Sequence, residues 1–128
     1  MKISASIVIA LAFILGSYFL LNSKSETDNP ASAANVSVVD GKQIIEINAK
    51  GGYFPRKSVA KAGVPTILRF NTVNTFDCSL AVRIPKMGIS QNLPSLGVTD
   101  IELGNPKAGT LKGTCSMGMY PFEIDFQN

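Results

Sequence analysis

After residue 35 the chain is broken again and again by glycine and proline, and between the breaks its apolar residues alternate with polar ones or gather in short runs. A two-residue period puts successive side chains on opposite faces of a strand, so this pattern predicts short strands with one buried face and no helix. Asn35 to Val39 and Gln43 to Ala49 flank Asp40-Gly41, and both turn residues tolerate the positive φ of a type I′ hairpin. Further strands are expected at Ser58 to Lys61, Thr66 to Asn71, Cys78 to Ile84, Val98 to Leu103, Thr110 to Thr114 and Phe122 to Phe126. Gly51 to Pro55, Gly63 and Asn105 to Gly109 read as turns, and Pro85, Gly88 and Pro94 as an irregular connection. The sum is an all-β antiparallel sandwich or barrel.

The first 34 residues follow different rules. Ile3 to Leu21 are nineteen uncharged, mostly apolar residues, which as a helix would measure about 28 Å, close to the hydrocarbon thickness of a bilayer. A cleaved export signal is the alternative, with Ala31-Ser32-Ala33 as the cleavage site, but that tripeptide stands ten residues past the apolar run, and signals are cut closer. A retained signal-anchor helix over residues 1–22 is therefore expected. Lys2 and Lys24 flank it equally, so the signal-like position decides the orientation and places the rest outside the cytoplasm. Residues 23–34 are small, polar and aperiodic, which makes a flexible tether. The remaining 35–128 suffice for one domain.

The side-chain inventory excludes much chemistry. There is no histidine, so the commonest general base and the commonest nitrogen ligand are both missing. The twelve basic residues are scattered, singly apart from Arg56-Lys57, without the cluster or aromatic platform that a nucleic-acid surface needs. Asp77, Asp100, Glu102, Glu123 and Asp125 lie singly on predicted strands, and no nucleophile and base can be assembled around them, so an enzyme is not expected.

What remains is sulfur. Cys115-Ser116-Met117-Gly118-Met119 places sulfur at i, i+2 and i+4, which an extended backbone would turn to one side while Gly118 lets the loop curl. A thiolate with two thioethers is a soft donor set that selects Cu(I) over zinc, iron or hard cations. Met117 and Met119 as plain core filling is the competing reading. Cys78 also has two readings: a disulfide to Cys115, 37 residues away, or a second thiolate on the same Cu(I). Tyr120, Pro121 and Met87-Gly88-Ile89 are expected to form an apolar collar beside the ligands.

Gly52-Tyr53-Phe54-Pro55, the run Gly63 to Phe70, Asp77-Cys78, Leu93-Pro94, Pro106 to Gly109 and above all Cys115 to Met119 resemble the cupredoxin family. The likeness extends over nearly all of the chain from Gly51 on. Within that family the chain resembles the histidine-free, membrane-anchored Cu(I) chaperones of the streptococcal CupA type. The resemblance implies a Greek-key β-sandwich. It also implies that Cys78 stands where electron-transfer cupredoxins carry their first histidine, and that Cys115 stands at their ligand cysteine. It implies a binuclear site, one Cu(I) held tightly by Cys78 and Cys115 and a second more weakly by Met117 and Met119 with a bridging thiolate. The implied role is a monomeric copper-resistance chaperone that exchanges Cu(I) with the soluble metal-binding domain of a copper-exporting P-type ATPase. A redox carrier on the same fold and a disulfide-stabilised extracellular binding module are the alternatives.

Overall fold

The computed structural model of the protein describes residues 5–21 and 35–128. One helix, α1 (Ala5–Leu21), has 17 residues with no charge in its first or last turn. Among the described residues no helix is long and apolar enough to cross a membrane. The anchor expected over residues 1–22 is a helix over Ala5–Leu21 that falls short of a membrane span, and the expected tether over residues 23–34 lies outside the described residues.

The rest is two five-stranded sheets face to face. The first contains β1 (Val36–Val39), β2 (Lys42–Ala49), β3 (Tyr53–Phe54), β5 (Thr66–Thr72) and β8 (Gly97–Gly104), in the order β1-β2-β5-β8 with β3 on the end of β2. The second contains β4 (Lys57–Lys61), β6 (Ala81–Ile84), β7 (Ile89–Asn92), β9 (Gly109–Cys115) and β10 (Pro121–Gln127), in the order β4-β10-β9-β6-β7. The β1-β2 hairpin turns on Asp40 (φ 51°) and Gly41 (φ 76°), the double positive φ that Asp-Gly predicts.

Three expectations need correction. The sandwich is mixed, since β2 pairs with β5 and β4 with β10 in parallel. Between β2 and β5 the chain crosses to the other sheet for β4 and crosses back, so β5 re-enters beside β2 running the same way. The Gln43 side chain, donating to the Lys61 carbonyl at 3.0 Å, ties the two sheets where that crossing returns. The strand expected from Cys78 starts later: Cys78–Leu80 is a 3-10 turn and β6 begins at Ala81. Asp77 accepts from the Ser79 amide, and such local side-chain bonds compete with a sheet ladder. The irregular connection after Pro85 contains a strand, β7, paired with β6. Ile-Ser-Gln-Asn carries no alternation because it is an exposed edge strand with three of its four residues outside the core.

Alternation places the core. β5 and β10 bury every second residue, and the two sheets close over Tyr53, Phe70 and Phe122, whose rings stand edge to face with centroids 4.9 to 5.8 Å apart. Phe122 pairs across the ladder with Gly113 and its ring fills the space that a side chain there would need.

Candidate metal centre

Two chain segments bring the cysteines together at one end of the sandwich. Cys115 is the last residue of β9, and its inward alternation leaves it 1% exposed. Cys78 opens the 3-10 turn that leads into β6, and the pairing of Val82 with Cys115 sets β6 beside the end of β9. The two side chains meet as a disulfide, with Cα atoms 5.7 Å apart across a 37-residue separation. Of the two readings of the pair, the structure holds the oxidised form, and both readings need this proximity.

The Cys78 turn is pinned on both sides. The Asp77 carboxylate accepts from the Ser79 amide and the Gly51 amide, each at 2.8 Å, and from the Ser79 hydroxyl. The Ser79 hydroxyl above all, with the two amides, holds the Asp77 carboxyl below its usual range despite some burial. On the far side the buried Tyr53 hydroxyl donates to the Ser79 carbonyl at 3.0 Å. Burial first, and Asp77 second, push the Tyr53 phenol far above its ordinary value, so it stays a donor. The preceding segment is fixed as well, by the Thr75 hydroxyl donating to the Ala49 carbonyl at 2.7 Å and the Thr75 amide to Ser95 at 3.0 Å.

The methionines are arranged otherwise than an extended loop would place them. The Gly118 amide donates to the Cys115 carbonyl at 2.9 Å, Gly118 takes φ 72°, and the Cys115 amide reaches Tyr120. Residues 116–118 are therefore a tight turn, as Gly118 permits, and the three sulfurs do not share one strand face. Met117 and Met119 stand 74% and 63% exposed while Cys115 points inward. Core filling is excluded for both methionines.

Among the described residues no three His, Cys, Asp or Glu side chains come together as a metal site. Cys78 and Cys115 bring two soft sulfur donors together at this end of the sandwich. Of the carboxylates considered for catalysis, Asp77 pins the Cys78 turn and the others are engaged elsewhere: Asp100 with Arg69 at 2.8 Å, Glu102 with Lys42 at 3.8 Å, Glu123 with Lys57 at 3.1 Å, and Asp125 with the Gln127 side chain. The Arg69 guanidinium holds Asp100 below its usual range.

The expected collar is split. Tyr120 and Pro121 follow the Cys115–Met119 loop, but Met87 lines a groove with Gly109 and Phe126, at the opposite end of β9 from Cys115. Exposed apolar residues lie instead on the segment that leads to Cys78, at Val73 and Phe76 (81% exposed), and at Leu96, which follows the Ser95 whose carbonyl accepts from the Thr75 amide. Sequence reasoning missed the Asp77–Ser79 clamp, although Asp-x-Ser ahead of a turn is a recognisable capping signal.

The profile of the cupredoxin-like domain matches residues 8–123. Among solved structures, the metal-binding domain of the Streptococcus pneumoniae D39 Cu(I)-exporting P-type ATPase CopA, with Cu(I), is similar at TM-score 0.66 and 22% identity, over 73% of this chain and 93% of that one. A copper binding protein in its apo form is similar at TM-score 0.66 and 26% identity, over 72% and 94%. Auracyanin B shares the fold at TM-score 0.53 and 9% identity, over 76% and 97%. Among curated proteins no sequence matches.

Proposed function

Because the chain belongs to the cupredoxin-like domain family, we propose that it is an extracytoplasmic, membrane-anchored chaperone that carries Cu(I) and exchanges it with a copper-exporting P-type ATPase in copper resistance. The observation that carries this reading is the meeting of Cys78 and Cys115 beside a loop whose two methionines are exposed, in a chain without histidine. When the pair is reduced, its two thiolates make a soft two-sulfur grip for Cu(I) cargo, and imidazole ligands that would steady Cu(II) are absent from the sequence. Met117 and Met119, with one thiolate shared, are the weaker holders of a second ion. Exposed thioethers suit hand-over, because an incoming sulfur can bind before an outgoing one leaves.

The 26%-identical relative described as a copper binding protein supports the cargo. The shared fold of the exporter's metal-binding domain motivates the partner. For the anchor, Ile9, Leu11, Phe13, Ile14 and Leu15 are all exposed on α1; a helix apolar all round is covered by lipid in a membrane span, and the uncharged run in the sequence reaches back to Ile3, two residues ahead of the 17 in α1. On this reading the chain crosses the membrane once through its N-terminal segment, and residues 35–128 act as a monomeric domain on the outer face.

One observation favours a second reading: the structure holds the cysteines as a disulfide, as a stapled binding module would. Titration of the reduced full chain in detergent with Cu(I) against a chromophoric chelator separates the two. Two ions per chain, falling to one with the tight phase kept in Met117→Leu/Met119→Leu, is the expected result. No Cu(I) bound, together with an unreactive disulfide in freshly isolated protein, would leave the module.

A further inference from the structure

Charge is divided unequally between the two outer faces of the sandwich. On the β1-β2-β5-β8 side the charges answer one another: Lys42 lies 3.8 Å from Glu102, and Arg69 lies 2.8 Å from Asp100 and 3.9 Å from Glu46. A groove on that side is lined by one cation and one carboxylate, Lys42 and Glu102.

The β4-β10-β9-β6-β7 side and its rim carry seven cations, Arg56, Lys57, Lys61, Arg83, Lys86, Lys107 and Lys112, against three carboxylates, Glu123 and Asp125 on β10 and Asp77 at the turn before β6. A groove of ≈ 350 Å³ is lined by Arg56, Lys57 and Lys112 with Glu123 as the single acid, and Glu123 already holds Lys57 at 3.1 Å. A second, of ≈ 320 Å³, is lined by Lys86 and Lys107 with apolar surface from Met87, Pro106 and Leu111. Lys61 and Arg83 lie on β4 and β6 of the same sheet. Among the described residues Lys86, Lys107 and Lys112 form no ion pair. Like charges gathered on one face repel one another unless an anionic surface meets them.

The geometry points to the outer face of the β4-β10-β9-β6-β7 sheet as a docking surface for anionic lipid headgroups, on which the domain lies flat beside its own anchor. This rests on the membrane-anchor part of the function proposed above and not on the copper part. From the end of α1 at Leu21 to the start of β1 at Val36 there are fourteen residues, a reach of at most about 50 Å when fully extended. So short a connection keeps the face at high effective concentration over the bilayer, and weak attraction at each cation then suffices. Screening falls off over about 8 Å at physiological salt, so the cations act together only when the sheet lies flush. Flush contact turns β9 parallel to the membrane. Its Cys115 end and the loop Ser116–Tyr120 then face along the bilayer, toward a partner embedded in it.

The test is a lysine-acylation footprint of the copper-free full chain in phosphatidylcholine nanodiscs with and without phosphatidylglycerol. Phosphatidylglycerol should slow labelling of Lys57, Lys107 and Lys112 by about fivefold, the factor that one cation's attraction to such a surface corresponds to. Lys42 and Lys50 should not change, and the protection should vanish in about 1 M salt, where screening reaches only about 3 Å. In Lys107→Glu/Lys112→Glu the protection of Lys57 should be lost. Equal slowing at Lys42 and Lys112, or none, overturns the proposal, as does protection that appears only when an acidic protein is added to phosphatidylcholine discs. A chain that enters neither disc overturns the anchor and this surface together. Intact protection in a chain that binds no Cu(I) sinks the copper reading alone.

Discussion

The Tyr53 hydroxyl donates to the carbonyl of Ser79 at 3.0 Å, so a fully buried ring from one sheet holds the turn that carries Cys78. Tyr53→Phe leaves the ring packing and removes only the donor. An unmet buried carbonyl costs about 1 to 3 kcal/mol. Urea unfolding of Tyr53→Phe should show a lower midpoint at unchanged slope, and a midpoint equal to the parent's would show that the bond does not hold the turn.

Gly113 is glycine because the Phe122 ring occupies the position of a Cβ. Gly113→Ala should displace that ring from its edge-to-face contact with Tyr53 at 4.9 Å and cost about 1 to 3 kcal/mol, the usual range for overpacking. Phe122→Leu placed on top of Gly113→Ala should cost less than it does in the parent. Strictly additive losses in thermal unfolding would argue against the clash.

Reducing the Cys78–Cys115 bond frees a loop of 37 residues' separation, which in the chain-entropy view lowers stability by about 3 to 4 kcal/mol. Cu(I) added to the reduced chain should raise the unfolding temperature again, in proportion to the logarithm of free copper, because only the folded state joins the two thiolates. A reduced chain whose melting ignores Cu(I) would contradict copper binding at this pair.

Met117→Leu/Met119→Leu should leave stability within about 0.5 kcal/mol of the parent, since exposed positions seldom matter more. The same double variant should slow Cu(I) transfer to an exporter metal-binding domain. Unchanged transfer, followed by stopped-flow chelator competition, would assign both methionines to the surface alone.

Asp100, with its carboxyl held low by Arg69, favours the folded state wherever it is ionised. Its contribution is complete above the ordinary 3.8 and is lost as pH falls through the lower folded value. The pair is partly exposed, so the effect is small and salt-sensitive. Asp100→Asn should be less stable than the parent at pH 6 and equal to it at the acid end of a denaturation series. A difference that persists at low pH would mean that shape, not charge, is at work.

Local chemistry was readable in the chain wherever one short stretch carries the whole cause. Asp40-Gly41 dictates its hairpin because two adjacent residues must accept positive φ. The alternation in Thr66–Thr72 dictates a strand with one inward face because the period is a property of seven residues. The edge strand Ile89–Asn92 was not readable, because an edge buries too little to leave a pattern. The turn at Cys78–Leu80 was misread because a single carboxylate outbids the ladder there.

The lack of histidine and the sulfur-rich loop restrict any metal at this site to soft-donor chemistry before any folding is considered. Folding alone sets Cys78 against Cys115, because that meeting requires β6 and β9 to pair across a 37-residue separation. Folding also turns Met117 and Met119 outward through one Gly118 hydrogen bond. It also gathers Lys57, Lys61, Arg83 and Lys112 on one sheet, which sequence order does not show because the pairings β4-β10 and β9-β6 join strands far apart in the chain.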